Sequence, residues 1–472
     1  MKKLTYLISF VMLLTLFSGC EDFLERDPED KISNDNLLSD LEGVTYALVG
    51  CYNDLCDGYY YRTNWQVINE LRGGNVKVKA SLTSGYIERF IPFYGFGLES
   101  DDHEVENIYE HLYQVLAEAN NILEVLDEIP DATEAQRDHI RGELLTIRAM
   151  VHFDLLRMFT YPYDYQANAQ HHGIVVNTST PDVLSKPSRS SVYESYKQIV
   201  TDLEEAIGLL NDDEKHGPTR KMWIGPDVAK ALMARVCLYK QDWNGAIEYS
   251  THLIEDATYG LVPGDMLASG YESGSPTQET IWILDNSQDV SESLSKFMGV
   301  PDIADKTELA ATGDLLSLYS ENDYRRDLLV EFSGDTVSLK YRSSGNIESD
   351  IELFRLAEMY LIRAEAYARI GKEVQARADL QTIRQRANPA AAQPSFSGEE
   401  LIQEILTEKR RELAFEGHLF YDLKRTGSDI VREDCNATEN HNVTYPSFRY
   451  VFPIPYDELM ANDNMEQTEG YN

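Results

Sequence analysis

Apolar side chains that return every three or four positions, in one long segment after another, constrain this chain more than any other feature. The spacing holds over Thr45–Leu55, Glu104–Glu128, Glu134–Phe159, Val192–Leu210, Pro226–Tyr239, Trp243–Glu255, Ile351–Ile370, Val374–Ala387 and Glu399–Glu416. That period is the one an α-helix needs to turn a stripe of side chains toward a core. Helix stops fall where the pattern ends: the polar run from Asn211 to Gly217, Gly371, and Asn388-Pro389. Strand-like pieces are few and short, such as Thr280–Asp285 and Thr336–Tyr341. The expected fold is mainly α, with a few short strands.

Three segments share a local form of aliphatic, Arg, small, any, apolar, ring. They are Ile147-Arg148-Ala149-Met150-Val151-His152, Ala234-Arg235-Val236-Cys237-Leu238-Tyr239 and Ile362-Arg363-Ala364-Glu365-Ala366-Tyr367. The second and third are each followed by a short turn and a helix whose small residues, Ala246 or Ala376 and Ala378, face back. Paired helices that meet at alanines resemble tetratricopeptide units. The irregular spacing between copies indicates a helix-pair scaffold with large loop insertions rather than a tandem array. No Pro/Gly/Ser-rich linker divides the chain, so one body over 20–472 is expected, with an N-terminal part to about 215 and a C-terminal part from 216.

The first 19 residues read as a secretory leader: Lys2 and Lys3, an apolar run from Leu4 to Phe17, then Ser18-Gly19 before Cys20. Phe17-Ser18-Gly19-Cys20 resembles a bacterial lipobox, which implies acylation of Cys20 and a lipid anchor. The apolar run is shorter than the roughly 20 residues of a membrane span. The formal charge of −38 becomes two units more negative once the two leader lysines are gone. Such a surface argues against nucleic acid and against docking on anionic lipid, both of which recruit Lys and Arg. Cys51, Cys56, Cys237 and Cys435 show neither metal-site spacing nor a disulfide framework, and are read as free.

The stretch Arg410-Arg411-Glu412-Leu413-Ala414-Phe415-Glu416-Gly417-His418-Leu419-Phe420-Tyr421-Asp422-Leu423-Lys424-Arg425 resembles the most recognisable segment of the SusD/RagB family. Phe452-Pro453-Ile454-Pro455-Tyr456-Asp457-Glu458-Leu459 and the ending Glu466 to Tyr471 are similar to the family's close. Arg355 to Tyr367 is similar to its central helix, and Trp243–Tyr259, Pro187–Leu210 and Gly142–Phe159 match in order. Glu21 and Asp22 resemble the acidic export signal of surface lipoproteins in the Bacteroidetes.

The resemblance implies a SusD-like outer-membrane lipoprotein, palmitoylated at Cys20 and facing the exterior, that serves polysaccharide utilisation. It would bind oligosaccharides or peptides as a lid on a SusC-like TonB-dependent transporter, and perform no chemistry. A helical-repeat surface scaffold without nutrient binding is the other reading. Within the signature segment, Leu413, Phe415, Phe420 and Leu423 are expected in the core, Arg411, Glu412 and Glu416 are expected to pair along the helix, and Gly417 to cap it. Glu365 is expected as a buried, paired carboxylate.

Sugar recognition needs flat rings and a few directional polar groups. The insertion Arg72–Ser100 concentrates both, and candidate ligand contacts there are Arg72, Asn75, Tyr86, Arg89, Phe93, Tyr94 and Phe96. Trp65 is added as a platform near the mouth, and Phe297 with Lys296 comes from a second insertion, Ser287–Thr312. Trp223, Trp243 and Trp282 are read as core. Walker, Gly-x-Ser-x-Gly and His-Glu-x-x-His patterns are absent, so no catalytic residue is proposed. No cofactor or metal is expected beyond incidental Ca²⁺; Asp285, Ser287 and Asp289 begin like a calcium loop, but Val290 and Lys296 stand where glycine and glutamate belong.

Overall fold

The structure is a computed structural model that describes residues 37–79, 85–182, 184–211, 221–286, 293–302, 307–344, 347–437 and 439–471. The leader, Cys20, and the Ser287 and Asp289 positions lie outside the described residues.

The helices fall largely where the spacing predicts them. They are α1 (Leu41–Leu55), α2 (Asn64–Gly73), α3 (His103–Val125), α4 (Glu134–Phe159), α5 (Val192–Leu209), α6 (Pro226–Tyr239), α7 (Trp243–Glu255), α8 (Leu356–Arg369), α9 (Glu373–Ala387), α10 (Gly398–Glu412) and α11 (Leu419–Arg425). Their starts have local causes. Asp40, Asp102, Ser191 and Asp242 accept hydrogen bonds from first-turn amides, Thr133 and Gln136 form a capping box, and Pro226 occupies the first turn of α6.

Among the described residues, short strands pair antiparallel in twos: β1 (Val76–Val78) with β3 (Leu309–Ala311), β2 (Thr280–Leu284) with β8 (Ile351–Arg355), β4 (Leu329–Phe332) with β5 (Asp335–Ser338), and β6 (Ser343–Ser344) with β7 (Ile347–Glu348). Two sequence expectations change. Residues 351–355, read as the start of a helix, are strand β8, whose edge satisfies β2 with Trp282 opposite Phe354. Helix α2 was not foreseen at all. Every one of its ten residues is buried, Asn64, Gln66, Asn69, Glu70 and Arg72 included, so it carries no amphipathic stripe.

The scaffold packs helix against helix, α4 on α5, α6 on α7 and α8 on α9. Between α4 and α5 the approach is close: a Cβ on Gly142 would lie 2.6 Å from Leu210 Cγ. Ala246 and Ala376 are buried as expected, while Ala378 faces solvent.

The arginine of each repeat segment has one job. Arg148 grips Asp202 of α5 through Nε (2.9 Å) and NH2 (2.7 Å). Arg235 grips Glu358 of α8 at 2.7 Å twice, and Arg363 grips Asp379 of α9 at 2.8 Å twice. Each is a two-pronged guanidinium–carboxylate contact, a geometry lysine cannot reproduce. The arginines therefore staple helices rather than line a site.

Because Arg148 and Asp202 are 7% and 1% exposed, deleting one partner leaves a buried charge. Arg148→Ala is expected to lower stability by about 3–5 kcal/mol, and Arg148→Lys by less. Urea unfolding of both variants checks this; a loss below about 1 kcal/mol for the alanine variant would contradict the staple.

Candidate functional site

The ring-rich insertion Arg72–Ser100 is a core element, and this corrects most of the proposed contacts. Arg72 lies at the end of α2 and is 1% exposed, with its guanidinium carbon 4.0 Å from the Phe420 ring centroid, 4.8 Å from Phe452 and 5.2 Å from Phe96. Arg432 covers the other rings, 4.7 Å from Phe96 and 5.0 Å from Tyr94. Phe93 meets Phe452 edge-on at 5.3 Å. Tyr94 is also buried, and its hydroxyl donates to Asn436 Oδ1 at 2.8 Å. Asn75 is spent on Glu70 (2.8 Å) and Arg410 (2.9 Å).

The other proposed rings fare the same way. Trp65 stacks on Tyr421 at 5.1 Å and holds the Arg157 guanidinium at 4.2 Å, so its faces are taken. Phe297 packs edge-on against Phe90 at 5.5 Å, and both are buried. A ligand at the surface reaches none of these rings. Only Tyr86, 58% exposed, and the half-buried Arg89 remain accessible; Arg89 Nε lies 3.6 Å from Glu104. The structure does bring the two insertions together, through β1 on β3 and the Thr312 amide donating to the Asn75 carbonyl at 2.9 Å.

A different recess has the shape of a binding site. It is a narrow cleft with a cavity of about 70 Å³. Its lip is the segment from Val262 to Thr277, which carries a short helix over Leu267–Glu272, its floor is β2 and β8, and its back wall is Lys340, Tyr341 and Glu416. Val262, Leu267 and Ile283 supply an apolar lining. Tyr271 stands in the lip as a half-buried ring whose hydroxyl donates to Glu352 Oε2 at 3.3 Å. Lys340 Nζ lies 5.8 Å from that ring's centroid and is fixed by the Glu412 and Ala414 carbonyls, both at 3.0 Å, and by Glu416 at 2.5 Å.

The reason Lys340 is so fixed lies in the signature segment. Glu412 and Glu416 pair across elements rather than along α10: Arg355 and Arg386 reach Glu412, and Arg355 and Lys340 reach Glu416. Helix α10 ends earlier than expected, with Leu413 at its C-cap, and Gly417, at φ +79° with its amide donating to Glu70 at 2.7 Å, closes the turn that follows instead of capping the helix. Glu365 is buried and held by Arg425 at 2.8 and 2.5 Å.

Two carboxyls on the cleft floor are shifted by burial. Glu352 is pushed up to about 7, with Arg355 opposing the shift, and Asp350 to about 6, its hydrogen bond from the Asn286 amide opposing. Among the described residues no group of three His, Cys, Asp or Glu side chains could hold a metal ion. The arrangement presents an apolar recess with the rings of Tyr271 and Tyr341 and a few convergent polar groups, the makeup of a small-ligand site. Sequence reasoning missed it because Tyr271 is an isolated ring; the surrounding Gly270, Gly274 and Pro276 were the available loop signal.

With fold and cleft described, the comparisons with known proteins assign the chain. Residues 333–471 match the family described as the SusD family, and residues 22–238 match the one described as starch-binding associating with outer membrane. The chain belongs to the SusD/RagB family. Over its full length it is 21% identical to a SusD-like protein of Formosa agariphila, covering 99% of that protein. It is 36% identical to the starch-binding protein SusD of Bacteroides thetaiotaomicron over 141 residues, 28% of this chain and 24% of that one.

A SusD superfamily structure from Bacteroides thetaiotaomicron superposes with a TM-score of 0.81 at 24% identity, covering 91% of this chain and 99% of that one. A laminarin binding SusD-like protein superposes with a TM-score of 0.74 at 20% identity, covering 92% and 100%. The lip of the cleft falls in the interval between the two family matches.

The raised Glu352 has a sign. The folded protein keeps its proton to about pH 7, whereas an unfolded glutamate releases it near 4.5, so this group costs stability as pH rises between those values. Glu352→Gln is therefore expected to melt a few degrees higher relative to the parent at pH 8 than at pH 5. Paired thermal melts test it, and an equal difference at both pH values would refute it.

Proposed function

We propose that this protein is a non-catalytic, lipid-anchored binding protein of the outer membrane that captures oligosaccharides. It delivers them as a lid to a SusC-like TonB-dependent transporter. The observation that carries the reading is the cleft: a recess walled by Tyr271, Lys340 and Glu352, on insertions outside the helix pairs. Tyr271 offers a face for a sugar ring, and the carboxyl and hydroxyl groups fix hydroxyl orientation.

Family membership supports the reading, as do the names of relatives described as starch-binding and laminarin binding. The anchor is Cys20, and among the described residues no helix is long and apolar enough to cross a membrane. Exposed Tyr86, with Arg89 beside it, adds an outer contact separate from the cleft.

Two measurements test this. Purification of the native lipoprotein from detergent-solubilised outer membrane should bring a large β-barrel with it; a lone monomer counts against the lid. Affinity electrophoresis through gels of neutral α- and β-glucans should show retention, weakened about tenfold or more by Tyr271→Ala. Retention unaffected by that change removes the cleft, and binding of peptides with no glycan retained overturns the ligand class.

A further inference from the structure

A second recess lies on the helix-pair scaffold itself, at the turn between α6 and α7. Its cavity is about 170 Å³ and is lined by Asp164, Tyr239, Gln241, Trp243, Arg369 and Thr426, among others. A small inner cavity of about 20 Å³, walled in part by Tyr421 and Lys424, shares Tyr239 and Arg425 with it. None of these residues belongs to the cleft above.

The turn departs from its sister in the scaffold. Between α8 and α9 the left-handed position is taken by Gly371, at φ +75°, where a glycine is at ease. Between α6 and α7 the equivalent position is Gln241, at φ +62°, a conformation that strains a residue carrying a side chain. What the chain gains is a placed amide: Gln241 Nε2 donates to Asp164 Oδ2 at 2.7 Å, holding the carboxylate at the edge of the recess.

The walls offer donors with nothing to do. Tyr239 is 6% exposed, lines both cavities, and its hydroxyl has no hydrogen-bond partner among the described protein atoms. The Arg369 Nε is likewise buried and without a partner, and its guanidinium carbon sits 5.8 Å from the Trp243 ring centroid. Leaving such groups unmatched is costly to the fold. Trp243, expected in the core, is only half-buried and turns toward this recess.

Charge narrows the ligand. Arg425 is consumed by Glu365 and Asp422 at 2.5–2.8 Å, and Arg369 faces Glu365 at 3.5 Å. With Asp164 on the opposite side, cations and carboxylates are mixed, and an anion would meet Asp164. One indole face, two unmatched donors and a carboxylate acceptor match the demands of a single neutral, hydroxyl-bearing ring.

We infer that the turn between α6 and α7 holds a second ligand site, sized for one neutral pyranose, with Trp243 as the stacking face and Tyr239, Arg369 and Asp164 as its hydrogen-bonding groups. The site is independent of the cleft. It puts a sugar contact on the scaffold rather than on the insertions.

Saturation-transfer NMR and calorimetry of the whole soluble protein with a panel of free neutral hexoses, pentoses and deoxyhexoses test it, with sulfate and glucuronate as anionic arms and matching trisaccharides to separate a free sugar from a chain end. The expected result is binding of at least one neutral sugar, weakened about fivefold by Tyr239→Phe and more than about tenfold by Trp243→Ala, and unchanged by Tyr271→Ala. Tyr239→Phe removes only a hydroxyl without a protein partner, so it reads the site without disturbing the fold. No neutral sugar bound, tighter binding of sulfate or glucuronate than of any neutral sugar, or binding that survives both scaffold changes would each overturn the inference. Binding lost only in Tyr271→Ala would assign it to the cleft instead.

Discussion

Glu412, 3% exposed, is the charge on which the C-terminal half of the molecule is assembled. One carboxylate oxygen receives Arg355 at 2.7 Å and Arg386 at 2.5 Å, and the other receives Arg325 at 3.1 Å. Its carbonyl takes Lys340 at 3.0 Å and Arg355 at 2.7 Å. Burial works against the ionised form, but Arg386, Arg355 and Arg325 outweigh it and hold the carboxyl well below its ordinary range. Such a cluster adds little net stability over an apolar packing, yet removing one member is severe. Its effect is positional. Strand β8, the turn at residues 324–328, α9 and the segment carrying Lys340 each bring one partner, and each docks where that charge is met. The cleft's back wall is a by-product of this arrangement.

Half-exposed helices such as α3, α5 and α7 were legible because half-exposure writes a period into the residues, while the almost wholly buried α4 and α6 were legible from their length and apolar content. α4, α6 and α7 match their expected bounds end to end. The same reasoning explains the failure at α2. A helix buried on all sides has no polar stripe, and one that buries Asn64, Asn69, Glu70 and Arg72 reads as a loop. β8 was missed because its apolar positions continue into α8, and only its partner β2, some seventy residues away, distinguishes strand from helix.

The proposed ring site went wrong for a related reason. Rings in a polar, glycine-bearing stretch look solvent-facing when the cations that bury them are distant in sequence. Arg432 and the rings of Phe420 and Phe452 lie more than three hundred residues from Phe93 and Phe96, and no local pattern announces that they meet. Spacing did mark Arg148, Arg235 and Arg363 as equivalent positions. It left unstated that each closes a fork on a carboxylate of another helix.

The burial of α2 has a consequence for how the protein is made. Its Glu70 accepts from the Gly417 amide, and Arg72 donates to the Arg449 carbonyl, partners 347 and 377 positions further along. A ribosome delivers the N-terminal end first, so this polar-rich helix waits with its charges hydrated until the last residues arrive. Contacts of such span are slow to close. The chain must therefore stay soluble and unsealed through most of its synthesis, and a surface holding almost twice as many acids as bases, whose like charges repel nascent neighbours, suits it to that wait.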